Sequence, residues 1–545
     1  MTSLTTMLEA TTTPSRRSLR PPVTRQRVLL AAAAVVGVGA TVWGAVHIEF
    51  TLAALAAGAS DVQNLVARML PPRLDDPARI AGLAGQTLLI ALLGTVLAVV
   101  VSVPLAFLAA ANTTPNRFVH GAARAAITFC RAVPDLVFAV LLVRAMGLGV
   151  LPGVLALALH SVGMVAKLFA DAIERTDPGP REAVRSTGAG ALRELVSGVL
   201  PQVVPSWIAT FVYRVDINLR TSVVLGFVGA GGIGFALQDA LRGLVYDKAL
   251  GIVLVILVLI AAMEILSIWI RRMLLGPGSG GTVRTGRLSP PWTGERVARF
   301  GLGGALAAAV VLAFPLLHID PVALLTSPWA LVDVAGRLLP PDFTLVGSRL
   351  AEAIAETVAI GLTATAIGIV LSLPLGLLAA RTVAPHPAVY WFARAVVLGV
   401  RAIPELILAV VFVAAIGLGP VAGVCALAIG SIGFLGKLVA DAAEEVASGP
   451  REAVRAAGGG WWQELFSAVV PQALPSIVGS ALYLLDVNIR TSTILGIVGA
   501  GGVGFLLFEA VRTLNFEFAG AIILIVFVIV YLIERLSGWI RAQVQ

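Results

Sequence analysis

Four pairs of opposite charges stand four residues apart inside apolar stretches: Asp216 with Arg220, Asp486 with Arg490, Lys167 with Asp171, and Lys437 with Asp441. Charge in hydrocarbon costs roughly 2.5–3.5 kcal/mol per residue on insertion scales, so such groups face a partner or a cavity. A spacing of four puts both members on one helical face. One reading is therefore an ion pair within each helix. For the arginines there is a second: guanidinium matches phosphate-like oxyanions through bidentate hydrogen bonds and could line an anion pathway. Asn218, Thr221 and Ser222, with Asn488, Thr491 and Ser492, add hydrogen-bonding groups beside them. Arg131 and Arg401 open two "RA.P" segments.

Other chemistry is harder to place. The two cysteines, Cys130 and Cys425, and five scattered histidines make no metal or disulfide pattern. "GSIGFLGKL" has Gly436 and Lys437 as in a phosphate-binding loop, but Ser431 replaces the first glycine and Leu438 the metal-binding hydroxyl. "VGAGGIG" and "VGAGGVG", through Gly229, Gly231, Gly232, Gly234 and Gly499, Gly501, Gly502, Gly504, match a dinucleotide-binding pattern. Asp247 and Glu517 even lie near the spacing of its ribose-binding acid. Apolar spans on both sides leave no room for the βαβ unit that loop requires. The tracts read instead as a paired hinge or lining at the outer mouth of a pathway, facing each other across a two-fold axis.

The elements that carry these residues are set by composition. The chain has 545 residues, 58% hydrophobic and only 13% charged, against about 25% charged in soluble domains. Its mean hydropathy is +0.94. A crossing needs roughly 20 apolar residues. Segments near 28–47, 84–111, 125–147, 150–170, 202–227 and 248–270 recur near 298–317, 354–380, 395–417, 420–440, 472–497 and 518–540. Twelve spans are expected. "DINLRTSVVLGFVGAGGIG" and "DVNIRTSTILGIVGAGGVG" lie 270 residues apart, and other matched segments share that offset. An even number of spans per half makes a parallel repeat about an axis along the membrane normal, unlike an inverted repeat. The division is a basic tail at 1–27, a first unit at 28–270, a linker at 271–297 and a second unit at 298–545.

The net charge is +8, carried mostly by arginine. Arg117, Arg124, Arg175, Arg181, Arg185 and Arg193 gather in alternate loops, so these loops, the tail and the linker read as cytoplasmic. Arg73, Arg79 and Arg242 are exceptions on the outer side. The first apolar segment reads as a retained span rather than a cleaved signal. At roughly 1.5 Å per residue from Pro201, Arg220 falls about 28 Å along its helix, in the outer half of the bilayer.

"REAVRSTGAGALRELVSGVLP" at 181–201 and "REAVRAAGGGWWQELFSAVVP" at 451–471 are twins. Pro180 and Pro450 suit a first helical turn, Glu182 and Glu452 its positive end. Gly188 and Gly458 break the helix. A short helix, a turn and an amphipathic helix are expected at the cytoplasmic surface. The pattern of Glu182–Ala183 and Gly188, repeated as Glu452–Ala453 and Gly458, resembles the EAA loop of ABC importer permeases. Val184 and Val454 replace the usual alanine. With "RTS…LG.VGAGG.G", the chain is similar to permeases of the phosphonate/phosphate/phosphite import family, over most of both halves.

That resemblance implies an all-α polytopic membrane protein of the type I importer kind. Two permease units of about six helices each are fused in one chain. It implies a transport subunit without catalytic residues, cofactor or metal of its own. The EAA loops would dock on two copies of a cytoplasmic ABC ATPase that bind ATP and Mg. One extracytoplasmic solute-binding protein would deliver the solute, at a bacterial cell membrane and with no nucleic acid involved. Alternatives are an importer permease for another solute such as methionine, whose permeases share the glycine tract and EAA loop, or an ion-coupled secondary transporter. A membrane-embedded enzyme would need a cluster of His, Cys or acidic residues that the sequence does not present.

Overall fold

The computed structural model describes residues 25–275, 294–344 and 347–544. The expected tail and most of the linker lie outside them. The described residues form helices and no strands. The first half comprises α1 (Arg25–His47), α2 (Leu52–Met69), α3 (Pro77–Ala109), α4 (Arg117–Ala132), α5 (Asp135–Met146), α6 (Val150–Glu174), α7 (Pro178–Ser186), α8 (Ala191–Glu194), α9 (Leu200–Gly226), α10 (Ile233–Arg242) and α11 (Tyr246–Leu275). The second repeats that order as α12 (Gly294–Leu316), α13 (Pro321–Arg337), α14 (Ser348–Leu378), α15 (Pro387–Ala402), α16 (Glu405–Ile416), α17 (Pro420–Glu444), α18 (Ser448–Ala456), α19 (Trp461–Glu464), α20 (Val470–Leu495), α21 (Val503–Arg512) and α22 (Phe516–Val544).

The span count differs from the expected twelve. Among the described residues, eight helices are long and apolar enough to cross a membrane, or up to ten spans if each of two bent pairs counts as one. The apolar run 125–147 is split between α4 and α5, which meet at 87°, and 395–417 is split between α15 and α16 at 85°. Pro134 and Pro404 cause the breaks, since proline offers no N–H to the preceding turn and disfavours helical geometry in the residue before it. The apolar stretches of α1 and α12, Val35–His47 and Phe300–Leu316, are shorter than 18 residues. The amphipathic helices α2 and α13 were not anticipated.

In each half three helices form the core: α3 packs with α6 and α9, and α14 with α17 and α20. Ile90, Leu93, Leu157 and Leu219 are fully buried there. The halves exchange their first helices. α1 packs along α14, where Gly44 lies against Ala359 and Thr363. α12 packs along α3. Such reciprocal contacts relate the like halves by a pseudo-two-fold axis.

Candidate functional site

Four features of the fold concern function: the α7–α8 corner, the axial arginines, a buried polar network and the glycine tract. The corner begins as predicted, with a short helix and a turn, but the amphipathic surface helix expected next is absent: the four residues of α8 and of α19 run on into the apolar spans Ala191–Gly226 and Trp461–Val498. Asp177 caps α7 by accepting from Gly179 N at 2.9 Å, with Pro178 in its first turn. The helix ends where Gly188 takes φ +76°, and α18 ends where Gly458 takes φ +80°. Glu182, Ala183 and Gly188 are exposed, as are Glu452, Ala453 and Gly458. No residue of α7 or α18 is buried, although both helices are amphipathic. What holds them is charge. Arg181 pairs with Glu194 at the start of the next helix and donates to Asn112 O at 2.5 Å. Arg451 pairs with Glu464 at 2.8 Å, and Arg455 reaches the same carboxylate at 2.7 Å. Beyond α8 and α19 lies one π-helical turn, at Leu195–Val199 and Leu465–Val469. Pro201 and Pro471 lack the N–H that would continue the ladder. Gln202 and Gln472 side chains donate instead to Gly198 O and Ala468 O, at 2.6 and 2.7 Å.

The axial arginines form the pairs their spacing allows. Arg220 lies 3.4 Å from Asp216 and Arg490 lies 2.9 Å from Asp486. Arg220 also stands 3.9 Å from Glu264. Each guanidinium then crosses the axis. Arg220 Nη1 donates to Arg401 O at 3.2 Å, and Arg490 Nη1 to Arg131 O at 3.3 Å. These carbonyls end α15 and α4, just before the proline breaks, where the last four carbonyls of a helix have no intrahelical donor. Nε of Arg220 and of Arg490 is buried without a hydrogen bond. Lys167–Asp171 at 2.6 Å and Lys437–Asp441 at 2.5 Å form away from the axis. Arg124 joins the first pair, 3.9 Å from Asp171 and 2.7 Å from Glu174.

The neighbours of the arginines divide by helix face. Asn218 is fully buried and donates to Thr95 Oγ1 at 2.8 Å and Ser161 Oγ at 2.9 Å. Asn488 does the same to Thr365 at 2.9 Å and Ser431 at 3.3 Å. Ser222 and Ser492 donate to Thr87 O and Thr357 O at 3.3 and 3.2 Å. These four tie α9 and α20 to the other core helices. Thr221 and Thr491 are half-buried beside the arginines. The same network contains a residue that the sequence reading missed. Arg214, 3% exposed, donates through Nε to Ser161 Oγ at 2.9 Å. A position-by-position comparison of the repeats would have flagged it, because its twin is Leu484.

The glycine tract is a tight turn joining α9 to α10. Gly232 takes φ +75°, and a Cβ on Gly234 would meet Val223 O at 1.9 Å. Thr87 on α3 caps the new helix by accepting from Ile233 N at 2.8 Å, and Gln86 accepts from Gly232 N at 3.0 Å. Thr357 and Glu356 do the same for Val503 and Gly502, at 2.8 and 2.9 Å. Gly229 abuts Leu148 and Gly499 abuts Leu418, so each tract packs on its own half. The residues that converge from both halves are Val228 and Ile497, which pack on one cluster with Phe138. An open cavity of about 440 Å³ adjoins the second tract, lined by His47, Glu352, Glu356, Gly501 and Phe505 among others.

A two-fold helical membrane bundle with charged groups on its axis and a matched pair of uncovered amphipathic helices defines a membrane transport subunit. The chain belongs to the family of binding-protein-dependent transport system inner membrane components, whose pattern matches twice, at residues 102–275 and 372–544. Two permease units are thus fused in one multi-pass inner membrane protein. It is 66% identical to the phosphate-import permease protein PhnE of Mycolicibacterium smegmatis, over 92% of this chain and 93% of that one. It is 40% identical to the phosphite transport system permease protein PtxC of Stutzerimonas stutzeri, over 41% of this chain and 81% of that one. Among solved structures, the MetNI methionine ABC transporter in an inward-facing conformation aligns at 28% identity, covering 35% of this chain and 93% of that one, with a TM-score of 0.32.

Proposed function

We propose that this chain is the complete membrane pathway of an ATP-driven importer for phosphate-type oxyanions. One observation carries the reading: the pair of guanidinium groups, Arg220 and Arg490, reaching across the axis between the fused halves. Its substrate class is supported by the 66% identity to a phosphate-import permease. Two copies of an ABC ATPase, binding ATP and Mg, would dock on the uncovered α7 and α18 through Glu182, Ala183, Gly188 and their twins. One solute-binding protein would deliver the anion at the opposite face, where the glycine tracts lie. The tail and linker would then be cytoplasmic.

Alternating access would work through the cross-axis bonds. Parting the halves breaks Arg220–Arg401 and Arg490–Arg131 together, because each bond spans the axis. The released Nη groups then face the opening with charge that an oxyanion can share. Asp216 and Asp486 remain as local counter-ions, so the arginines need not lose all partners at once. The reaction is transport without covalent chemistry, and the chain contributes charge, hydrogen-bond donors and a hinge.

The test is uptake of labelled phosphate, phosphite and methylphosphonate by cells carrying the chain together with a candidate ABC ATPase and solute-binding protein from the same genome. Uptake that requires the ATPase is expected. Uptake by the chain alone, or of methionine instead, would overturn the reading.

A further inference from the structure

Arg214 breaks the repeat. It stands on α9 where α20 carries Leu484, while the surrounding Asn218, Ser161 and Thr95 are all matched by Asn488, Ser431 and Thr365. Leu484 is 1% exposed, so the twin shows that an apolar side chain suffices to pack this helix position. A buried arginine where leucine suffices carries a desolvation cost that packing does not explain.

Its hydrogen bonds leave it under-used. Nε is fixed by Ser161 Oγ at 2.9 Å. Nη1 meets only the Met164 thioether, at 3.2 Å, and a thioether is a weak acceptor. Among the described residues Nη2 has no acceptor, and no carboxylate lies within the 4 Å of an ion pair; the acidic group whose charge reaches it is Asp135. Arg220 and Arg490, by contrast, each hold an aspartate four residues away.

We propose that Arg214 is the counter-ion of the transported oxyanion, which makes the anion site one-sided and places it in the first half. This rests on the anion-import reading above. With Nε anchored on Ser161, the Nη1 and Nη2 end of the fork is presented to two oxygens of a tetrahedral oxyanion, the geometry that guanidinium offers and ammonium does not. Six residues separate Arg214 from Arg220, or about 9 Å of helix. An anion entering from the glycine-tract end would then meet Arg220 and Arg490 first and Arg214 further along α9, about 120° round the helix on the face that carries Asn218. In this conformation the site is closed, since Arg214 is 3% exposed.

The experiment uses the purified full chain and the transporting cells in parallel. Thermal unfolding is followed with inorganic phosphate against chloride at equal ionic strength, for the wild type, R214L and R214K. Phosphate is expected to raise the wild-type midpoint. R214L should lose that phosphate-dependent rise while its midpoint in chloride is unchanged or higher, and uptake should fall at least tenfold. R214K, with charge but no fork, should retain a reduced rise. Should R214L fail to insert, R214Q is read in its place. A phosphate-dependent rise and uptake within twofold of wild type in the leucine or glutamine variant would overturn the proposal, as would a wild-type chain with no such rise. A wild-type chain that imports no phosphate, phosphite or phosphonate overturns the importer reading itself, which separates the two failures.

Discussion

Arg490 of the second half donates to the main-chain carbonyl of Arg131 in the first, 3.3 Å away, while holding its own Asp486 at 2.9 Å. Arg220 makes the mirror contact with Arg401 at 3.2 Å. Each guanidinium thus serves a helix end that a proline has left without donors, on the opposite side of the axis. These contacts are among those that join the halves, and under the importer reading an opening between the halves would break them.

Replacing Arg490 with glutamine should therefore do two separable things. It removes the guanidinium that Asp486 holds at 2.9 Å, and breaking a largely buried pair costs up to about 3 kcal/mol. The double variant R490Q/D486N removes both charges and should recover most of the thermal midpoint. If the arginine also serves the anion, uptake stays lost in both. Recovery of uptake together with stability would reduce Arg490 to a structural partner.

The exposed face of α7 and α18 should matter to coupling and little to folding. Glu182, Ala183 and their twins are exposed, and neither α7 nor α18 buries a residue. E182Q/E452Q should insert normally, with a midpoint within about 1 °C of wild type. The number of anions imported per ATP hydrolysed should drop severalfold in the reconstituted complex. An unchanged ratio would argue against docking on this face.

Two glycines test the turn at the tract. A Cβ on Gly234 would sit 1.9 Å from Val223 O, so the backbone on one side of the turn must move. G234A should cut the yield of folded chain sharply. At Gly121 in α4 the position a Cβ would take has no neighbour within 4 Å, and G121A should be neutral or stabilise by up to about 1 kcal/mol through helix propensity. Yield after detergent extraction and unfolding midpoint measure both; a well-folded G234A would contradict the close packing.

How much of this could be read from sequence depended on how local each interaction is. Asp216–Arg220 and Asp486–Arg490 were legible because a spacing of four fixes their meeting on any helix. The α7 corner was legible because Pro180 and Gly188 act within a few residues of themselves. The cross-axis bonds were not, because they depend on Pro134 and Pro404 turning a carbonyl toward the other half. Those prolines sat inside apolar runs that hid the break and inflated the span count. The cap on α10 comes from Thr87, 146 residues away in sequence, and no local pattern announces it. Asn218 and Ser222 share α9 with Arg220, so spacing alone could not show that they turn into the helix core.

Glu464 should matter more than its twin, Glu194. Both fasten the α7-type helix to the start of the following span, and neither lies on the exposed face. Glu464 holds two guanidinium groups, Arg451 at 2.8 Å and Arg455 at 2.7 Å, and is 7% exposed. Glu194 holds Arg181 alone and is 8% exposed. Charge-assisted hydrogen bonds of this kind contribute roughly 1.5–3 kcal/mol each. Arg455 is largely exposed, so water screens its bond, which contributes less than that of Arg451. E464Q weakens the hold on both guanidiniums, loosening α18 from the helix that follows it. The unfolding midpoint should fall by a few degrees, and more than for E194Q. If α18 couples the chain to an ATPase, uptake per ATP should fall with it, although the exposed face of α18 is untouched. Equal effects of E464Q and E194Q on midpoint and coupling would mean that Arg455 adds nothing, and that both corners hang on the Arg181-type pair alone.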